Sequence, residues 1–210
     1  MQRYAAFAPW PLCILCLLGA AAISFGTIDV RAAYFFAQFH LPIAMVSNGL
    51  GSTILLACES ALILTLLIIR LRRGRLSHWN EAVLIGCVVS VCAYAFNDGV
   101  LKPLFGVPSP QSVLEGGVHH GFHVLTAAGF ATGFPSGHMA LAAGFAGVLL
   151  RMETRYRFWL CALLLLGGAT LVAGIWHFVS DVFAGTATGF AASYLATELW
   201  IAHRAKNPAH

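Results

Sequence analysis

Six long apolar stretches, at about residues 9–27, 53–71, 79–101, 137–152, 158–177 and 180–202, constrain the fold of this chain more than any other feature. Each approaches the ~20 apolar residues that a helix needs to cross the hydrocarbon core of a bilayer. Inside that core only helices and closed barrels satisfy every backbone N–H and C=O, and long apolar runs without strict alternation are predicted as helices. Hydrophobic residues make up 59% of the 210 and charged ones 10%, a balance that excludes a soluble globule. The expected fold class is all-α: a polytopic membrane helical bundle of about six transmembrane helices. No internal repeat, low-complexity tract or linker marks a second unit, so one domain is expected over residues 1–210.

The positions of the basic residues orient such a bundle, because Lys and Arg near span ends are retained on the cytoplasmic side. Arg3, Arg70, Arg72, Arg73, Arg75, Arg151, Arg155, Arg157, Arg204 and Lys206 fall on one side of six spans, and only Arg31 and Lys102 on the other. Both termini are therefore expected in the cytoplasm and residues 102–135 outside. The net charge of +4 follows from this asymmetry and calls for no nucleic-acid partner. A second reading makes the first stretch a cleavable signal, with Gln2-Arg3 as its basic start, Leu12 to Leu18 as its apolar core and Ala20-Ala21-Ala22 as small residues. Cleavage would leave five spans and the same outside loop. The expected location is the plasma membrane, multi-pass, which in a bacterium is the inner membrane.

All six cysteines, Cys13, Cys16, Cys58, Cys87, Cys92 and Cys161, fall within apolar stretches, where a thiol behaves as a small hydrophobe. Cys13 and Cys16 have the spacing of a redox or metal pair but lack a strand context or a second ligand pair, so they are expected to pack. Between the first two stretches, Tyr34, Phe35, Phe36, Phe39 and His40 surround Pro42, a composition suited to an interfacial helix or re-entrant segment. Residues 102–134 carry Pro103, Pro108, Pro110 and several glycines, which forbid a long regular helix. This loop also concentrates Lys102, Glu115, His119, His120 and His123.

Pro135-Ser136-Gly137-His138 is predicted to turn the chain into a helix, with Ser136 as the cap and Gly137 allowing close approach of a ligand to the backbone. Free N–H groups and a positive dipole end make such a start a natural anion site, and His138 in the first turn could pass a proton. His177 and Asp181 stand at i and i+4, so on a helix they would share one face. A carboxylate on one imidazole nitrogen sets the tautomer and leaves the other nitrogen free to attack. The expected topology carries both motifs to the same outer surface.

At these residues the chain resembles the type 2 phosphatidic acid phosphatase superfamily, which also includes vanadium haloperoxidases. Its three motifs are Lys-x6-Arg-Pro, Pro-Ser-Gly-His and Ser-Arg-x5-His-x3-Asp, matched here by Lys102 to Pro110, Pro135 to His138 and Thr170 to Asp181, within a core of about residues 95–190. Six spans agree with the membrane branch of that family. The resemblance implies that His177 is the nucleophile forming a phosphohistidine, Asp181 orients it, and His138 is the acid for the leaving group. It implies that Lys102, Ser136 and Gly137 hold phosphate; no cofactor or metal is expected. The implied substrate is a lipid-linked phosphate or diphosphate at the outer leaflet of the bilayer.

Two departures separate this chain from the pattern. Ser109 stands where the first motif has arginine, and Thr170-Leu171 where the third has Ser-Arg. Each charge-assisted hydrogen bond is worth ~1.5–3 kcal/mol, so losing two weakens the phosphate grip by about 3–6 kcal/mol. Ser109 keeps a hydroxyl, whereas Leu171 supplies no donor. His123, with His119 and His120, could replace the lost donors, in which case activity falls as pH rises through ~6.5, the ordinary histidine range. The substrate could instead carry less charge than a terminal monoester. Two alternatives to hydrolysis remain: transfer to an acceptor other than water, and non-catalytic binding of lipid phosphates. A metal held by the loop histidines with Glu115 is disfavoured by the lack of a recognised ligand pattern. Asp98 is expected to ion-pair with Lys102, and Glu59 and Glu198 to face the bundle interior.

Overall fold

The computed structural model describes residues 10–39, 48–125 and 132–206, with side chains throughout except at 48–50. Nine α-helices are described: α1 (Trp10–Thr27), α2 (Asp29–Ala37), α3 (Asn48–Arg73), α4 (His78–Phe96), α5 (Lys102–Phe105), α6 (Pro110–Leu114), α7 (Gly137–Met152), α8 (Arg157–Ala173) and α9 (Val179–Lys206). A π-helical stretch, Asn97–Leu101, joins α4 to α5, and a 3-10 turn, Thr154–Tyr156, precedes α8. No strand occurs among the described residues beyond one isolated bridge, Pro108 to Thr132.

Local chemistry sets these boundaries. Ser77 caps α4 by accepting the Asn80 N–H at 3.2 Å, and Gly74, in the left-handed region at φ 71°, closes α3. Gly106, at φ 59°, ends α5 in the same way. Ser109 caps α6, with Pro110 at its first position where no N–H is needed. The proline-rich loop therefore forms only helices of four and five residues, α5 and α6. His40 and Pro42 lie outside the described residues; Tyr34, Phe35 and Phe36 belong to α2 and Phe39 to the turn after it, with Tyr34, Phe35 and Phe39 at the surface.

Four segments are long and apolar enough to cross a membrane: Trp10–Thr27, Gly51–Arg73, His78–Phe105 and Thr154–Ala173. Their outer faces expose large apolar side chains, Leu15 and Ile23 on α1, Leu64 on α3 and Leu165 and Leu166 on α8, as a lipid-facing surface does. Of the six expected spans, α7 and α9 do not meet both requirements among the described residues. α7 has 16 residues, and α9, although 28 long, carries serines, threonines, Asp181 and Glu198. The reason is position: twelve residues of α7 are buried, and it packs against α4 on one side and α9 on the other. A helix surrounded by protein needs small side chains more than apolar ones.

That packing is close. A Cβ at Gly189 of α9 would lie 2.6 Å from the carbonyl oxygen of Ala140, and one at Gly144 of α7 would lie 2.9 Å from Ser90 Cα of α4. Ser193, one turn beyond Gly189, donates its hydroxyl within the α7–α9 contact, 2.9 Å from the Gly144 carbonyl. At the far end Arg151 of α7 reaches Glu198 at 2.6 Å and Thr197 at 2.9 Å, while Glu59 of α3 meets Ser90 at 3.0 Å. Glu59 thus turns towards α4, whereas Glu198, expected to face the interior, is exposed and reaches α7 only through its ion pair with Arg151. All six cysteines are free thiols.

Candidate active site

Ser136 opens α7 as expected: it is fully buried, extended in backbone, and its Oγ accepts the Met139 N–H at 3.4 Å. The Phe134–Pro135 peptide bond preceding it is cis. Three contacts lock this turn in place. Asn97, buried in the π-helical stretch, donates through Nδ2 to the Pro135 carbonyl at 2.9 Å. The Ser136 N–H donates to the Asp181 carbonyl at 3.0 Å. A Cβ at Gly185 would collide with the Ser136 carbonyl oxygen, so glycine there lets α9 approach the turn.

His177 and Asp181 do meet, but not as neighbours on one helix face. α8 stops at Ala173, and residues 174–178 form a turn in which Ile175 adopts φ 59°. A β-branched residue there is strained by ~1–3 kcal/mol, held by the surrounding structure. The carbonyl of Leu171 accepts the N–H groups of Trp176 at 3.1 Å and His177 at 3.3 Å, which closes the turn. Asp181, in the first turn of α9 and fully buried, accepts the Phe178 N–H on Oδ2 at 2.8 Å and lies 3.3 Å from His177 Nδ1 through the same oxygen.

The other nitrogen of His177, Nε2, lies 3.3 Å from His138 Nδ1. With Asp181 ionised and His177 neutral, one order of protons fits these distances. Oδ2 of Asp181 is an acceptor, so His177 Nδ1 carries a hydrogen and Nε2 a lone pair; His138 Nδ1 must then be the donor between the rings. The result is an oriented nucleophile facing a proton donor across one hydrogen bond.

Lys102 is close by: its Nζ is 3.7 Å from the position a Cβ on Gly137 would take, and Tyr94 Cε2 is 3.0 Å from it. Asp98 holds the ammonium at 2.6 Å, the expected ion pair. Ser109 lies beneath Gly133, which is wedged between Ser109 Cα and Asp181 Oδ2, but its hydroxyl is committed to Ser112, 2.9 Å from Oγ and 3.3 Å from N. Thr170 bonds back to the Leu166 carbonyl, and Leu171 is 6% exposed within the bundle. Neither position supplies the donor that an arginine would.

The loop histidines separate. His123 is exposed, with its ring 3.4 Å from the His119 carbonyl and its N–H on the Phe105 carbonyl at 3.1 Å. His120 turns inward between Phe25 and Phe178, at centroid distances of 4.4 and 4.5 Å, and stands 3.4 Å from Asp29. Among the described residues no three His, Cys, Asp or Glu side chains gather as metal ligands.

Three residues join the site without a signal in the sequence. Asp29 of α2 is buried and receives both the backbone N–H, at 2.9 Å, and the hydroxyl of Ser180, the neighbour of Asp181. Asn97 fastens the Pro135 turn, as above. Trp176 stacks at 24° over His138, centroids 6.4 Å apart, and its indole N–H is buried without an acceptor among the described residues. A π-helical stretch next to a loop was the one available hint for Asn97, and it is visible only in the fold.

A helical bundle that brings a carboxylate-oriented histidine, a second histidine at a helix start and a lysine to one end has the constellation of a histidine-based phosphoryl-transfer protein. The chain belongs to the PAP2 superfamily, whose family model matches residues 82–204. No curated protein and no solved structure matches the chain. Membership points to phosphatase- or phosphotransferase-type activity on phosphate esters, and with the apolar helices to a membrane protein. The match begins inside α4, so α1 to α3, with Asp29, lie outside it.

Proposed function

We propose that the protein is a multi-pass membrane enzyme that cleaves a lipid-linked phosphate or diphosphate through a phosphohistidine. The observation that carries this reading is His177 held between Asp181 and His138, each at 3.3 Å. His177 Nε2 attacks phosphorus with its lone pair, the bond from phosphorus to the leaving oxygen breaks, and that oxygen takes the Nδ1 proton of a His138 protonated on both nitrogens, which is left neutral. Water then attacks phosphorus, gives its proton to His138, and the phosphorus–nitrogen bond breaks to release phosphate. A phosphoryl group can reach Nε2 only by displacing the hydrogen bond between the two imidazoles, so substrate entry separates the rings.

Lys102, Ser136, Gly137 and the free N–H groups at the start of α7 hold the phosphoryl oxygens. Trp176 adds its indole N–H, a neutral donor in a site short of arginines; a buried N–H without an acceptor costs ~1–3 kcal/mol, which a phosphoryl oxygen would relieve. Ser109 serves the site through its cap on α6, and His123 is the loop histidine assigned to substrate contact. The weak grip favours a singly charged diester over a doubly charged monoester. It also supports a second reading, in which an acceptor other than water takes the phosphoryl group. In the membrane, α7 and α9 complete six spans with both termini in the cytoplasm, and the histidines face the outer leaflet.

The test offers the purified protein a panel of lipid phosphates and diphosphates, with and without alcohol acceptors. Wild type is expected to release or transfer phosphate and His177→Ala to do neither. Equal product from both would sink the covalent mechanism, and binding without turnover in wild type would leave a lipid-phosphate binder.

A further inference from the structure

A second concave site lies at the other end of the bundle. α3 begins beside the histidines, where a Cβ on Gly51 would be 3.6 Å from His138 Nε2, and runs to Arg73, roughly 30 Å away at ~1.5 Å per residue. There the ends of α3 and α9 and the start of α4 border an open cavity of about 780 Å³, lined by Arg70, Arg73, Arg75, Arg204, Glu81 and Trp200 among others, with all four arginines exposed. The volume lies within the range of small-ligand pockets, roughly 300–1,000 Å³.

The charges in this cavity are not balanced. Its one carboxylate, Glu81, is taken by Arg204 at 2.5 Å, and that guanidinium lies 4.7 Å over the Trp200 ring. Arg70, Arg73 and Arg75 have no ion-pair partner among the described residues. Gly74, at φ 71°, turns the chain between Arg73 and Arg75 so that residues on both sides of the helix end line the same space. Retention of basic residues at one face of a membrane explains how many arginines sit at this end, but not why three converge on one concavity. Like charges so placed repel, and a cleft focuses their field on whatever enters. Guanidinium forks match phosphate oxygens two at a time.

We infer that this cavity is a second ligand site, specific for a phosphate-bearing anion, built by Arg70, Arg73 and Arg75 at the end of the bundle remote from the histidine pair. Most of it lies outside the family match, since Arg70, Arg73, Arg75 and Glu81 precede residue 82. The phosphate could belong to a lipid headgroup or to a free anion.

Arg72 supplies the control, for it sits on the same helix end and carries the same charge but does not line the cavity. The full chain in neutral detergent is titrated with inorganic pyrophosphate, with short-chain phosphatidate and with short-chain phosphatidylcholine, and binding is read from thermal shift and native mass spectrometry. Arg73→Gln is expected to weaken anion binding roughly tenfold, the loss of one charge-assisted hydrogen bond, and Arg72→Gln to leave it unchanged. Pyrophosphate binding alone identifies a soluble anion, and phosphatidate binding alone a headgroup; either supports the site. Equal effects of Arg72→Gln and Arg73→Gln overturn it, as does equal binding of phosphatidylcholine. Loss of all binding in Lys102→Ala with none in Arg73→Gln would assign the anion to the histidine site and also overturn it.

Discussion

His138 Nδ1 lies 3.3 Å from His177 Nε2, so the proton donor and the nucleophile of the candidate site hydrogen-bond to each other directly. The proposed roles follow from that contact, and they separate by leaving group. His138→Ala should lower turnover of an alkyl or lipid phosphate by about 10²–10⁴, the usual worth of a general acid. An aryl phosphate, whose leaving group needs no proton, should suffer much less. His177→Ala should abolish both. Pre-steady-state release of the leaving alcohol or phenol checks this, because the later attack of water needs His138 as its base with either substrate.

Asp181 Oδ2 serves two donors, His177 Nδ1 and the Phe178 N–H. Asp181→Asn should reduce turnover by on the order of hundredfold or more, because the amide no longer enforces the tautomer with a free Nε2. Asp181→Ala should add a stability loss of about 1–3 kcal/mol from the stranded Phe178 N–H. Turnover and thermal unfolding of both variants separate the two effects.

Ser109 occupies an arginine position of the family pattern but caps α6. Ser109→Ala should cost ~1 kcal/mol in stability and leave turnover within a few-fold of wild type. A loss of turnover without a change in unfolding would instead make its hydroxyl a phosphate donor.

The indole N–H of Trp176 is buried beside His138 without an acceptor among the described residues. Trp176→Phe keeps a ring over the imidazole and removes the donor. The expected outcome is a KM several-fold to about tenfold higher, with kcat and the unfolding temperature near wild type.

Gly185 and Gly189 are one turn apart on α9 but should behave differently. A methyl at Gly189 meets the Ala140 carbonyl, 2.6 Å from the added carbon, and should destabilise the bundle by about 1–3 kcal/mol. A methyl at Gly185 meets the Ser136 carbonyl and should displace the Pro135 to His138 turn, lowering turnover as well as stability. Paired unfolding and activity measurements on Gly185→Ala and Gly189→Ala test the distinction.

The elements that carry the site were legible to different degrees. The cap at Ser136, the lack of a long helix in the loop and the Asp98–Lys102 pair follow from local chemistry, and the structure bears them out among the described residues. The i, i+4 spacing of His177 and Asp181 pointed to a shared helix face, whereas a turn strained at Ile175 delivers His177 to Asp181. Apolarity suggested six spans, the fourth and sixth least defined at their ends; α7 is a short helix buried against α4 and α9, and α9 carries serines, threonines, Asp181 and Glu198, so hydropathy describes both poorly.

The sequence by itself determined the helical class, the family motifs and the absence of both motif arginines, because periodicity, capping residues and motif spacing are local properties of the chain. Only the tertiary structure decided that His138 faces His177, that Leu171 is buried, that Asp29 and Trp176 belong beside the site, and that Arg73 but not Arg72 lines a cavity. Each of those depends on which faces of α3, α7 and α9 meet their neighbours. That is set by close packing between segments far apart in the chain, which no local pattern encodes.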